Sequence, residues 1–227
     1  MNYLKIILVG FLGGAAAWFL LWSFLPENKA IEPSPTPMPI IVSPDFWQKI
    51  VSEHGLSTVA IQSFKGGKIV KEGSGMIISS DGVIITTFDV TAGADVFQVL
   101  HGDKILRAQQ VRYDGSKNLA LLKVAATDMN VTRLERNYQF QSGQDVVVSG
   151  KTVELSSPTV FAQRGMISYI LSKVIVIDTE PRYFLSGSKV INNSGIVVGI
   201  SYLRSGAVHL ITAEAMDDFI KNYFESL

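Results

Sequence analysis

Few side chains in this sequence have both the type and the spacing to do chemistry. Ser186-Gly187-Ser188-Lys189 sets a serine three residues before a lysine, the S-x-x-K spacing of serine/lysine acyl transfer. A serine hydroxyl is a poor nucleophile near neutral pH and needs an adjacent base. In S-x-x-K enzymes a helix aims the lysine back at the serine, whereas here the run continues into Val190-Ile191, a strand-like pair. Without a base, Ser186 reads as a turn serine beside a glycine. Imidazole is the side chain best suited to the task, because its pKa lies near the working pH. The three histidines, His54, His101 and His209, fall in a helix, a hairpin turn and a strand. Their scatter offers no metal-ligand spacing, and each reads as a surface or edge residue. The absence of cysteine removes disulfides, thiol catalysis and Cys-ligated zinc together. No cofactor and no metal is expected. Lys+Arg and Asp+Glu both number 20 and no basic stretch stands out, so nucleic acid is not an expected partner.

The elements that must position these residues are mostly short strands. From Leu56 onward, runs such as Thr58–Phe64, Gly75–Ser79, Val83–Thr87, Val96–Leu100, Ile105–Tyr113 and Leu119–Val124 are separated by turn residues. After a polar interval near Ala125–Ser142 come Asp145–Ser149, Thr159–Ile170, Val174–Asp178, Ser188–Asn192, Ile196–Leu203 and Val208–Ile211. Ser80-Asp81-Gly82, His101-Gly102-Asp103 and Asn193-Ser194-Gly195 read as hairpin connections. About twelve strands in two groups of six predict an all-β head of two small barrels, spanning residues 56–125 and 126–211. Met216, Phe219, Ile220, Tyr223 and Phe224 then recur at helical spacing behind Thr212 as a cap, which predicts a C-terminal helix over 212–227.

The N-terminal part is different in kind. Ile6–Leu25 is an uncharged apolar run; at about 1.5 Å per residue it spans roughly 30 Å as a helix, the thickness of a bilayer core. Lys5 precedes it, so residues 1–5 are expected on the cytoplasmic side and the head outside the cell membrane. A cleaved signal peptide is the competing reading, but the run ends in Trp22-Ser23-Phe24-Leu25-Pro26 with no small-x-small cleavage site. Gly10 and Gly14 form a GxxxG pair that fits helix pairing or simply the abundance of glycine in membrane helices. Six of the eight prolines lie between Pro26 and Pro44, which forbids helix and predicts an extended stalk over 26–44. A short helix over 45–55 follows, with Ser43 as N-cap, Pro44 at the first helical position and Gly55 at the left-handed C′ position.

Three ordered stretches carry a resemblance. Gly73-Ser74-Gly75-Met76-Ile77-Ile78 followed by Asp81-Gly82-Val83-Ile84-Ile85-Thr86 resembles the GSGFII…DGYILT hairpin of the HtrA/Deg branch of trypsin-like serine proteases (peptidase S1). That family continues N-x-H-V-V-x-G-A, where this chain has Thr87-Phe88-Asp89-Val90-Thr91-Ala92-Gly93-Ala94. Tyr113-Asp114-Gly115-Ser116-Lys117-Asn118-Leu119-Ala120-Leu121-Leu122-Lys123 is similar to the family's D-x-x-x-D-L-A-V-L-K segment. Gly195-Ile196-Val197-Val198-Gly199-Ile200 resembles G-E-V-I-G-I, and counting back lays Phe184–Asn192 on G-N-S-G-G-P-L-V-N.

The resemblance implies a trypsin-like fold of two six-stranded antiparallel β-barrels, with Ser186 at the nucleophile, Asp89 at the histidine and Asn118 at the aspartate of a catalytic triad. Carboxylates have a reference pKa of about 3.9 and so are far weaker bases than imidazole. Asparagine cannot supply the charge that steadies an imidazolium, and aspartate-to-asparagine in an active triad costs about four orders of magnitude. The glycine two residues before the serine is replaced by Phe184, which disfavours a positive φ. No PDZ module of the kind usual in that family is expected to follow the terminal helix. These departures lead to the expectation of a pseudoprotease: a membrane-anchored head that binds an extracytoplasmic protein or peptide, an active protease included, by strand addition. An active serine endopeptidase using Ser186 is the alternative, and a purely structural envelope spacer a third. A homo-oligomer is a further expected partner, since the resembled family commonly forms trimers.

Overall fold

The computed structural model describes residues 44–154, 157–172 and 174–227. The expected membrane helix and stalk lie outside the described residues. Among the described residues no helix is long and apolar enough to cross a membrane.

The described chain begins with helix α1 (Pro44–Gly55), whose Ile50 is buried. Gly55 is the last helical residue and is not among the positive-φ glycines, so the left-handed C′ conformation expected of it does not form. The glycine instead allows a close approach, because a Cβ there would sit 3.3 Å from Val160 Cγ2. The end of the helix is met by the segment that follows it: the His54 carbonyl accepts from Thr58 Oγ1 at 2.7 Å.

Six strands follow: β1 (Thr58–Lys65), β2 (Lys68–Ser79), β3 (Val83–Thr87), β4 (Val96–His101), β5 (Lys104–Asp114) and β6 (Leu119–Val124). They close into an antiparallel barrel in the order β1-β2-β3-β6-β5-β4. A second closed antiparallel barrel, ordered β10-β11-β12-β9-β8-β7, is built from β7 (Asp145–Glu154), β8 (Ser157–Leu171), β9 (Val174–Asp178), β10 (Lys189–Asn192), β11 (Val197–Arg204) and β12 (Ala207–Thr212). Closure removes most free edges, the usual hazard of small sheets. Val59, Ile61, Ile84, Val99 and Leu122 fill the first barrel, and Val148, Ile167, Ile177, Val190 and Leu210 the second.

A third apolar cluster joins the two. Ile50 of α1 packs with Met76 and Leu121 of the first barrel, Ile191 of the second, and Met216 and Phe219 of the terminal helix α3 (Ala213–Phe224). Thr212 caps α3, its side chain accepting from the Ala215 amide at 3.1 Å. Asp217 on the same helix pairs with Arg136 at 2.8 Å and Lys221 at 2.5 Å, while Arg112 sits over the Phe219 ring at 5.5 Å.

β2 is longer than the sequence suggests, running back to Lys68. Its first half pairs with β1 alone, because the ladder to β3 covers only Met76–Ser79. Lys68–Gly73 therefore pairs with no described strand on its second backbone edge.

Candidate functional site

Asp89 is held by a four-residue helix, α2 (Phe88–Thr91), which follows directly from β3. Asn118 stands just before β6, after the turn that begins at Asp114. The Asp114 carboxylate accepts from the Ser116 amide at 2.9 Å, the Ser116 hydroxyl at 2.6 Å and the Lys117 amide at 3.1 Å. The Ser116 hydroxyl bond, then the Lys117 amide bond, hold the Asp114 carboxyl below the usual carboxylate range. Phe88 stacks on Tyr113 at 5.1 Å, and Gly115 leaves room for the Phe88 ring. Asn118 adopts φ +53°, a left-handed conformation that asparagine tolerates better than most residues.

These constraints bring Asp89 and Asn118 into a two-way clasp. The Asp89 amide donates to Asn118 Oδ1 at 2.9 Å, and Asn118 Nδ2 donates to Asp89 Oδ1 at 3.2 Å. The Phe88 amide also donates to the Asn118 carbonyl at 3.1 Å.

Ser186 arrives from the second barrel, directly after a 3-10 turn (Tyr183–Leu185). Its backbone is fixed against the first barrel, the Ser74 amide donating to the Ser186 carbonyl at 2.9 Å. Glycines permit this contact. A Cβ on Gly187, which has φ +80°, would lie 1.9 Å from the Ser74 carbonyl oxygen, and one on Gly73 would lie 2.7 Å from the Ser186 carbonyl oxygen. The buried Ser186 hydroxyl donates to Asp89 Oδ2 at 2.6 Å and accepts from the Leu203 amide of β11 at 3.1 Å. Ser186, Asp89 and Asn118 thus form one hydrogen-bonded chain across the junction of the barrels.

No described histidine ring is among the hydrogen-bond partners of Ser186. His54 donates from Nε2 to the Gly195 carbonyl at 3.0 Å, so it is half-buried and engaged rather than a plain surface residue. Burial, and secondarily the Lys189 charge set against the Gly195 bond, keep its pKa below the ordinary imidazole value. His101 ends β4 and is likewise lowered by burial, with the Lys151 charge a smaller cause. His209 stacks on Tyr202 at 5.1 Å. Among the described residues no group of His, Asp or Glu side chains is arranged to hold a metal ion.

Phe184 lies inside the 3-10 turn and is not among the described non-glycine residues of positive φ. Its ring meets Phe161 edge-on at 4.7 Å. The Gly187 amide is already committed, donating to the Ser201 carbonyl at 2.9 Å.

Lys189 turns away from Ser186. Fully buried, it donates to Ser57 Oγ at 2.7 Å and to the His54 carbonyl at 2.9 Å. Burial, reinforced by the Lys151 charge, pushes its amine down to about 7. Two features of the site are not legible in the motifs: this Ser57–Lys189 pair, and the capture of the Ser186 hydroxyl by the Leu203 amide. A lysine placed between small residues and Val190-Ile191 is the signal for the first; the second depends on register alone.

A pocket of about 500 Å³ opens beside the chain of bonds. Ile69, Val70, Val90, Tyr183 and Leu203 supply its apolar walls, with Asp89 and Ser186 lining it as well.

Residues 73–200, more than half of the chain, match the family described as "Trypsin-like peptidase domain". A "Probable periplasmic serine endoprotease DegP-like" of Hahella chejuensis is 34% identical over 143 residues, covering 59% of this chain and 30% of that protein. "Serine protease HTR4" of Rattus norvegicus is 28% identical over 206 residues, covering 80% of this chain and 41% of its own length. The chain therefore spans less than half the length of these curated relatives. The crystal structure of the serine endoprotease from Yersinia pestis superposes with a TM-score of 0.68 at 23% identity, covering 79% of this chain and 66% of that one; that likeness speaks for the fold. The chain belongs to the trypsin-like peptidase family and is of the HtrA type.

Proposed function

We propose that this protein is a catalytically silent member of its family, a membrane-anchored extracytoplasmic head that binds protein or peptide without cutting it. The observation that carries the reading is the partner of the Ser186 hydroxyl: a carboxylate at 2.6 Å, in the place where the resemblance calls for an imidazole. Acyl transfer needs a group that takes the hydroxyl proton and returns it to the leaving amine. A carboxylate accepts a hydrogen bond well but is too weak a base to strip a serine at neutral pH, and a proton it does not take it cannot pass to the leaving amine. Asn118 matches Asp89 in the opposite sense to a triad, donating to the carboxylate where an aspartate would repel it. The extracytoplasmic placement rests on the apolar run Ile6–Leu25 and on relatives named as periplasmic.

The alternative, an active endopeptidase, draws on the same short contact, since the hydroxyl does have an anionic acceptor beside a pocket. Fluorescein-labelled casein separates the two. The silent reading expects fluorescence anisotropy to rise with protein concentration and no acid-soluble fluorescence to be released over hours. Release that disappears in Ser186→Ala establishes the peptidase instead.

A further inference from the structure

Asp89 has more acceptor capacity than its neighbours use. An ionised carboxylate offers about four lone-pair sites, and two are taken, one by the Ser186 hydroxyl and one by the Asn118 amide. Both donors are neutral, so the negative charge is not neutralised, and among the described ion pairs Asp89 has no part. Such a half-buried charge, set into a pocket with apolar walls, is under-compensated. Glu72 lines the same pocket with one described side-chain donor, the neutral Gln62 Nε2 at 2.8 Å, and adds to the local negative charge. Lys71, also on the rim, is exposed and forms no described ion pair with Asp89.

The strand beside the pocket is equally unfinished. Both the Ser74 amide and the Ser74 carbonyl point away from β1, the amide to the Ser186 carbonyl and the carbonyl accepting from Thr86 Oγ1 at 2.7 Å. Backbone groups alternate in direction along a strand, so the polar groups of Glu72 face the same side, where no described strand pairs with them. Exposed Ile69 and Val70 continue this edge along the pocket.

We infer that the pocket takes an extended peptide that adds to the free edge of β2 and sets a lysine or arginine side chain against the Asp89 carboxylate. Charge complementarity selects this occupant. The aliphatic stem of such a side chain matches the Val90 and Leu203 walls, its cationic head matches Asp89, and Tyr183 is exposed at the mouth to cover it. A guanidinium or ammonium adds the charged donor that neither Ser186 nor Asn118 supplies. The inference rests on the non-hydrolytic reading above and deepens it by naming the ligand class.

The test uses the full chain and fluorescent, end-blocked hexapeptide pools with one position fixed as Lys, Arg, norleucine or Glu and the others randomised. The Lys and Arg pools should bind about tenfold more tightly than the norleucine pool, a factor equal to about 1.4 kcal/mol. Asp89→Asn is isosteric: its Oδ1 still accepts from Asn118 Nδ2, while its Nδ2 donates to Ser186 Oγ in place of the bond that the carboxylate accepted. It should therefore remove most of that preference while leaving the thermal unfolding midpoint close to wild type. Raising the salt to 1 M with the unaltered protein should narrow the same gap, a result independent of any variant's folding. Equal binding of the norleucine and Lys pools, or a preference that survives Asp89→Asn, overturns the inference and leaves the silent-head reading standing. Cleaved peptide recovered from the Lys pool overturns that reading instead, while the charge preference remains measurable. Failure of every pool to bind overturns both.

Discussion

Asp89 and Asn118 are intelligible only as a pair. An aspartate beside a triad histidine works because its charge complements an imidazolium; the same residue beside Asp89 would set two carboxylates within hydrogen-bonding distance. Asn118 avoids this by turning an Nδ2 donor to Asp89 Oδ1 and an Oδ1 acceptor to the Asp89 amide. The resemblance assigns both positions, since the flanking runs fix the register on each side. Their mutual bonding it does not assign, because that depends on the left-handed turn at Asn118. Asn118→Asp should therefore destabilise the fold at pH 7 by about 1 kcal/mol, from like charge and a lost donor at a half-exposed position. Urea unfolding measures it, and the deficit should shrink at pH 4 as one carboxyl of the pair takes up a proton. A deficit that is the same at both pH values would mean that packing, not charge, is what Asn118 supplies.

The elements show a second polar link, from α1 to β10. Lys189 reaches the end of α1 through the His54 carbonyl and Ser57, and His54 reaches the β10–β11 turn through Gly195. A cation at a helix C-terminus is favoured by the helix dipole, but burial beside Lys151 opposes the charge and prevails, leaving the amine at about 7. The folded protein thus holds Lys189 neutral at pH values where the unfolded chain still protonates it. Stability should climb as pH rises from about 7 toward the unfolded lysine value near 10.4, and be lowest below 7, with a slope of up to about 1.4 kcal/mol per pH unit for one proton. Lys189→Met removes this group at similar volume and should flatten the rise between pH 7 and 9 while raising stability at pH 7. Urea midpoints across that range decide it; a wild-type rise retained in the variant would assign the proton elsewhere. The sequence shows this segment as a strand with a lysine in it. It does not show where the side chain goes, because strand alternation names a face and not the hydroxyl waiting on it. The first half of β2 escapes for a related reason: Lys68–Lys71 is exposed and pairs on one edge only, so it lacks the apolar alternation that marks a buried strand.

At the scale of the whole molecule, two closed barrels share a seam on which the backbone of β2 meets that of the Ser186 turn. Gly73 and Gly187 are readable in sequence as motif glycines; the structure gives their reason, which is contact closer than any side chain permits. The twelve strands and the capped terminal helix were legible from turn residues and periodicity, because those signals are local. The seam was not, since it joins residues more than a hundred positions apart. What the seam presents is a serine whose hydroxyl is tied between the Asp89 carboxylate and the Leu203 amide, and the proposed silence holds that neither partner releases it as a nucleophile. The most direct measurement is intact-mass spectrometry of the full chain after prolonged exposure to a fluorophosphonate at pH 7.5. The account predicts an unchanged mass, with a trypsin control in the same tube fully modified; a phosphonyl adduct mapped to Ser186 would contradict it.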